Sequence, residues 1–163
     1  MYQASVPVAR QALTQALGLL DKATPAMLSA RLAPGMFTAA EQFLTVAGFA
    51  LRATYPLAGR DVPVLDFPAD PDGLRAALLN AWVLVDDLTK ADFQGAADRQ
   101  ITHRAGFADL TQSAPDYLQH FALPNLWFHL AMAYAILRQQ GAPVGKADFD
   151  GLHAYPTGFA FDA

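Results

Sequence analysis

The sequence predicts an all-α fold: an antiparallel four-helix bundle, with a small β-hairpin before the last helix. Three observations carry this. Four segments repeat apolar residues at alternating three- and four-residue spacing, which puts them on one helix face. Capping residues or a first-turn proline open those segments. One connection alone, at 56–71, is long enough to be a crossover. The 163 residues suit a single domain over 1–163, and 53% of them are hydrophobic against 16% charged. That is enough apolar surface to fold without disulfides or metals.

The first helix is read from "SVPVARQALTQALGLLDKA", with Ser5 as cap and Pro7 in its first turn, where a missing N–H costs nothing. Leu13, Leu17 and Leu20 form its stripe. Thr24 and Pro25 open a short helical turn before "RLAPG" breaks the chain. The second helix begins near Phe37, with Thr38 and Glu41 spaced as a capping box. Phe43, Val46, Ala47, Ala50 and Leu51 make its buried face. Gly48 in mid-helix predicts a neighbouring backbone close by. Pro56 ends the helix and starts a connector with four prolines. Asp70 and Pro71 cap and begin the third helix, whose Leu74, Leu78, Ala81, Val85 and Leu88 repeat as a narrow packing seam. Gln100–His103 and Phe107–Thr111 read as two short strands around "RAG". Ser113 and Pro115 open the last helix, bent or restarted at Pro124. Gly141 and Pro143 stop it after Gln140. The remaining stretch is irregular but rich in aromatics, so part of it should lie against the bundle.

Charge and composition remove whole classes of function. There are 15 acids against 11 scattered bases, a net charge of -4, and no basic cluster to neutralise a row of phosphates. Nucleic acid is therefore excluded as a partner. With no cysteine, disulfides, thiolate metal sites and cysteine nucleophiles are excluded, which fits a cytoplasmic protein. No signal-peptide core and no run of ~18 apolar residues is present, so no membrane span is expected. "GAPVGKA" at 141–147 lacks the spacing and the hydroxyl of a phosphate-binding loop. "DPDG" and "DFDG" lack the further acids of a calcium loop, and are read as caps and turns. Asp86 and Asp87 are adjacent, hence about a hundred degrees apart on a helix, and cannot share a proton.

The histidines are the remaining chemistry. His103 in the hairpin and His153 in the tail read as exposed or lightly packed. Asn125, His129, Met132 and Ile136 trace one face of the last helix, and its other faces are apolar too. Such a helix reads as central and buried. A buried imidazole and amide at four-residue spacing must find partners, whether each other, water, a facing helix or a metal.

"SVPV" at 5–8, "LLDKA" at 19–23, "ARLAPGMF" at 30–37, "ALPNLWFH" at 122–129, "AYAILR" at 133–138 and "GAPVGKADFDG" at 141–151 resemble an uncharacterised bacterial family, the domain of unknown function family nineteen ninety-three. Gly35 departs from it, standing where the family usually carries an acid. That family is similar to the DinB/YfiT-like four-helix bundles, and the resemblance implies that scaffold. Many of those bundles bind a divalent metal through three histidines, one from the second helix and an H-x-x-x-H pair on the last, with an Arg nine residues on. Here His129 and Arg138 have the nine-residue spacing, but Asn125 stands at the first position of the pair. The second helix has no histidine, only Glu41 and Gln42 as polar candidates. No resident metal or other cofactor is therefore favoured; a Zn or Ni ion would have to be held by His129, Asn125 and Gln42, and amides bind such metals poorly.

Two functions follow. One is a small-molecule-binding or structural homodimer, with a cleft lined by Gln42, Trp82, Asn125, His129 and Tyr134 around a small apolar ligand. The other is the metal-dependent transferase or isomerase chemistry, using a thiol cofactor, that the resemblance implies. In it His129 would bind the metal or act as general base.

Overall fold

The computed structural model describes residues 1–156. Its helices are α1 (Tyr2–Leu20), α2 (Pro25–Leu28), α3 (Ala39–Arg52), α4 (Pro71–Asp86), α5 (Ala114–Asp116), α6 (Leu123–Gln139) and α7 (Lys146–Asp150). Two antiparallel strands, β1 (Gln100–Ala105) and β2 (Ala108–Ser113), stand between α4 and α5. The last segments of the sequence, 157–163, lie outside the described residues.

Local chemistry sets most of the boundaries. Thr24 Oγ1 accepts from Met27 N, and Pro25 fills the first position of α2. In α3 the capping box closes both ways: Thr38 N donates to Glu41 Oε2 at 2.7 Å and Glu41 N to Thr38 Oγ1 at 3.2 Å. Asp70 Oδ1 accepts from Gly73 N at 2.8 Å, with Pro71 beginning α4. The hairpin pairs Gln100 with Ser113 through Ala105 with Ala108. Its turn is Gly106–Phe107 with Gly106 at φ 60°, the glycine-first pattern that matches strand twist. Gly35 takes φ 80° in the turn before α3, a conformation that disfavours any acid there.

Helices α3 and α6 pack on each other, α4 packs on both α1 and α3, and α1 packs on α3. The seam predicted on α4 is all inside: Leu74, Leu78, Ala81 and Val85 are fully buried and Leu88 nearly so. They belong to one continuous core with Leu13 of α1, Phe43 and Leu51 of α3, and Leu126 and Leu130 of α6.

Four expectations are corrected. Helix α1 begins at Tyr2, not after Ser5; Ser5 is buried inside it and its hydroxyl donates to Met1 O at 3.1 Å. Pro7 lies within the helix, and the carbonyl it deprives belongs to exposed Gln3, where water can serve. Gly48 has nothing within 4 Å of where a Cβ would stand, so no backbone approaches it. Helix α6 is not central: Phe128 is half exposed, and the buried residues Leu126, Leu130, Ala133, Ile136 and Leu137 mark one inward stripe. An apolar sequence all round the helix is shared among the core, the surface and α7.

Candidate functional site

The last helix does not simply bend at Pro124. A π-helical turn over Tyr117–Ala122 precedes α6, and Pro124 occupies its second position. Asn125 Nδ2 donates to Phe121 O at 2.7 Å, so the amide satisfies a carbonyl of that widened turn. Asn125 and His129 are therefore not partners.

His129 finds its partner on the facing helix. Its Nδ1 lies 2.7 Å from Oε1 of Gln42 on α3. Gln42 is 2% exposed, one of the few buried polar side chains. An amide oxygen only accepts, so Nδ1 carries the proton and Nε2 presents its lone pair. Nε2 has no hydrogen-bond partner among the described residues and is open to solvent. The ring is half-buried, not sealed in a dry interior. Burial holds its pKa below the ordinary imidazole value, so the neutral form prevails at pH 7.

Aromatic rings frame it. Phe49 stacks on His129 at 5.5 Å between centroids and 19° between planes, and Phe37 at 6.2 Å and 23°. Phe128 meets the ring edge-on at 5.2 Å. Phe37 and Phe128 are 48% and 51% exposed, so the imidazole sits at the floor of an open aromatic notch between α3 and α6. The array continues inward. Phe49 contacts Phe121 at 5.8 Å, and Phe121 contacts His103 of β1 at 4.2 Å. The Arg52 guanidinium lies over the Phe49 ring at 5.3 Å. Arg52 O accepts from the Tyr117 hydroxyl at 2.9 Å, and burial pushes that phenol up to about 12.

His103, expected to be exposed or lightly packed, is half-buried. It packs on Tyr117 and Phe121, with Nε2 2.7 Å from Gln112 Oε1 and Nδ1 buried without a partner. His153 pairs with Asp150 and stacks on Tyr155.

Of the five cleft residues read from the sequence, Gln42 and His129 are brought together. Asn125 stands one turn away but is turned to Phe121 O. Trp82 instead lies beneath the Arg10 guanidinium at 5.2 Å, and Arg10 pairs with Asp86 at 2.9 Å. Tyr134 faces α7, edge-on to Phe149 at 5.9 Å. The sequence reading missed Phe37, Phe49 and Phe121. Their signal was available: Phe49 lies seven residues beyond Gln42, two turns along one face, and Phe121, Asn125 and His129 follow at four-residue steps.

The donor set does not suit a transition metal. It offers one imidazole nitrogen and one amide oxygen, already bonded to each other through Nδ1. Glu41, next to Gln42, is committed to Thr38 N and Oγ1. Arg138 is exposed at the end of α6. Among the described residues no group of three or more histidines and carboxylates is placed to hold a metal ion, whereas a zinc site normally takes three or four protein ligands. No helix of the described residues is long and apolar enough to cross a membrane.

Against known proteins, residues 1–150 match the family model described as domain of unknown function DUF1993, and the chain belongs to that family. No curated protein matches. Among solved structures the fold is similar to a DinB family member protein from Shewanella denitrificans, with a TM-score of 0.83 and 27% identity over 95% of this chain and 94% of that one. The mostly helical fold with its two-stranded sheet is thus a DinB-like one.

Proposed function

We propose that this member of the DUF1993 family is a small-molecule-binding protein on a DinB-like helical scaffold, whose metal site has given way to an amide–imidazole pair. The observation that carries the reading is the 2.7 Å contact between His129 Nδ1 and Gln42 Oε1. It fixes the tautomer, so that a neutral imidazole offers a lone pair at Nε2 among Phe37, Phe49 and Phe128. The ligand that suits this notch is a small planar molecule with an apolar body and one N–H or O–H donor. The ring faces supply contact area and Nε2 accepts the hydrogen bond.

The test combines metal analysis with ligand titration. Protein purified without added metal is expected to hold less than about a tenth of an equivalent of Zn, Ni, Mn or Fe, since a working site fills by mass action. Indole, as an aromatic N–H donor, is expected to shift the His129 Nε2 resonance in nitrogen NMR. His129→Phe, which keeps a ring but no acceptor, should weaken that binding several-fold. Stoichiometric metal in the purified protein, or an indole response indifferent to His129→Phe, would remove the proposal. The homodimer expected from the apolar excess belongs to the same reading; sedimentation equilibrium giving a single copy at micromolar concentration would remove that part.

A further inference from the structure

The segment 141–151, "GAPVGKADFDG", is a helix stop and a turn by its sequence, and none of it enters the notch at His129. Its structure gives it another use. Gly141, at φ 86°, turns the chain out of α6, and α7 then comes back against the bundle. Lys22 Nζ donates to Pro143 O at 3.2 Å and Asp148 Oδ1 at 2.7 Å, while Gln11 Nε2 donates to Asp150 O at 2.9 Å. These bonds tie α7 to the α1 side of the bundle, where it also stands beside α6. Between α6 and α7 lies a cleft of about 330 Å³ lined by Ala131, Tyr134, Lys146 and Phe149.

The chemistry of that cleft is one-sided. Its lining is mostly apolar, and Lys146 is the one charged residue in it. Phe149 is spread between Tyr134 at 5.9 Å and Trp127 at 6.1 Å, which leaves aromatic surface toward the cavity. The carboxylates of α7 are used elsewhere: Asp148 by Lys22 and Gly145 N, and Asp150 by His153 and the amides of Leu152 and His153. Lys146 is exposed and has no ion-pair or hydrogen-bond partner among the described residues. A preformed apolar hollow at the small end of the ligand-pocket range of about 300–1,000 Å³, with one unneutralised cation at its rim, selects an apolar body carrying one negative charge. A single ammonium with no arginine fork beside it suits a monoanion better than a phosphate dianion.

We propose that the α6–α7 cleft is a second binding site, for a small amphiphilic carboxylate whose apolar end lies on Tyr134 and Phe149 and whose carboxylate meets Lys146. It stands independently of the reading given for His129.

The test uses the full chain and a matched pair of probes, 3-phenylpropionate and its neutral analogue 3-phenylpropan-1-ol, with Trp127 fluorescence and amide NMR shifts as readouts. The acid is expected to bind with saturable shifts on α6 and α7. Lys146→Gln should weaken the acid about two- to five-fold, the size of a solvated ion pair, and leave the alcohol unchanged. Filling the cleft with Ala131→Leu should weaken both probes at an unaltered melting temperature; Tyr134→Ser, which removes the ring face, is the parallel variant should leucine disturb the helix. Equal weakening of acid and alcohol by Lys146→Gln would overturn the proposal. So would acid binding indifferent to both cleft variants, or no saturable binding of the acid.

Discussion

Replacing His129 with Ala tests the pair at the centre of the notch. Two contributions are lost. Gln42 Oε1, on a side chain only 2% exposed, is left without its donor, which costs about 1–3 kcal/mol. The ring stacked on Phe49 at 5.5 Å is removed, at about 0.5–1.5 kcal/mol. Because the imidazole is only half-buried, water can partly reach the vacated space, and the lower half of the combined range applies: about 2 kcal/mol. For a chain of this size that lowers the melting temperature by about 4–8 °C. The hydrogen-bond share is isolated by a double-mutant cycle with Gln42→Leu in urea denaturation. Removing both partners leaves no orphan, so the double variant should be more stable than the sum of the single losses by about 1 kcal/mol. If the losses add to within about 0.3 kcal/mol, His129 and Gln42 are not bonded and the fixed tautomer goes with them.

The pH dependence of stability follows from the same ring. Burial holds His129 below its ordinary value, so on acidification the unfolded chain takes up its proton before the folded one does. The contribution of the neutral ring is intact above about 6.5 and declines as pH falls from there toward the folded value. His129→Gln should flatten the stability profile just below about pH 6.5, while the fall at lower pH persists; the capping and bridging carboxylates Glu41, Asp92 and Asp148, all held below their usual values, cause that later loss. An unchanged slope just below about pH 6.5 would contradict it. Gly73→Ala tests the entry to α4. A Cβ there would lie 2.2 Å from Pro68 O, so the connector or the helix must move. A loss of about 1–3 kcal/mol in urea denaturation is expected, and wild-type stability would show that Pro68 does not press on Gly73.

Legibility divided along a physical line. The caps at Thr24, Thr38 and Asp70 act within three residues, so local sequence suffices to find them. The seam of α4 follows from helical period, and the hairpin was found although its turn was placed a residue early, at "RAG". Where a signal had to be read against its surroundings, the sequence reading failed. Gly48 suggested a close backbone that is not there. An all-round apolar α6 suggested a central helix, because sequence does not say which apolar residues α7 and the surface will take. His103 read as exposed or lightly packed, and the sequence did not show that its ring would pack on Tyr117 and Phe121 of the π-turn.

By itself, then, the sequence determined the helical class and the caps at Thr24, Thr38 and Asp70, since these depend on residue type and near-neighbour spacing. Tertiary structure alone decided which groups face each other. It joined His129 to Gln42 across 87 residues, sent Asn125 to Phe121 O, and assigned Trp82 and Tyr134 to different surroundings. The reason is geometric: helical period sets the face a residue occupies, but only the packing of α3, α6 and α7 sets what that face meets.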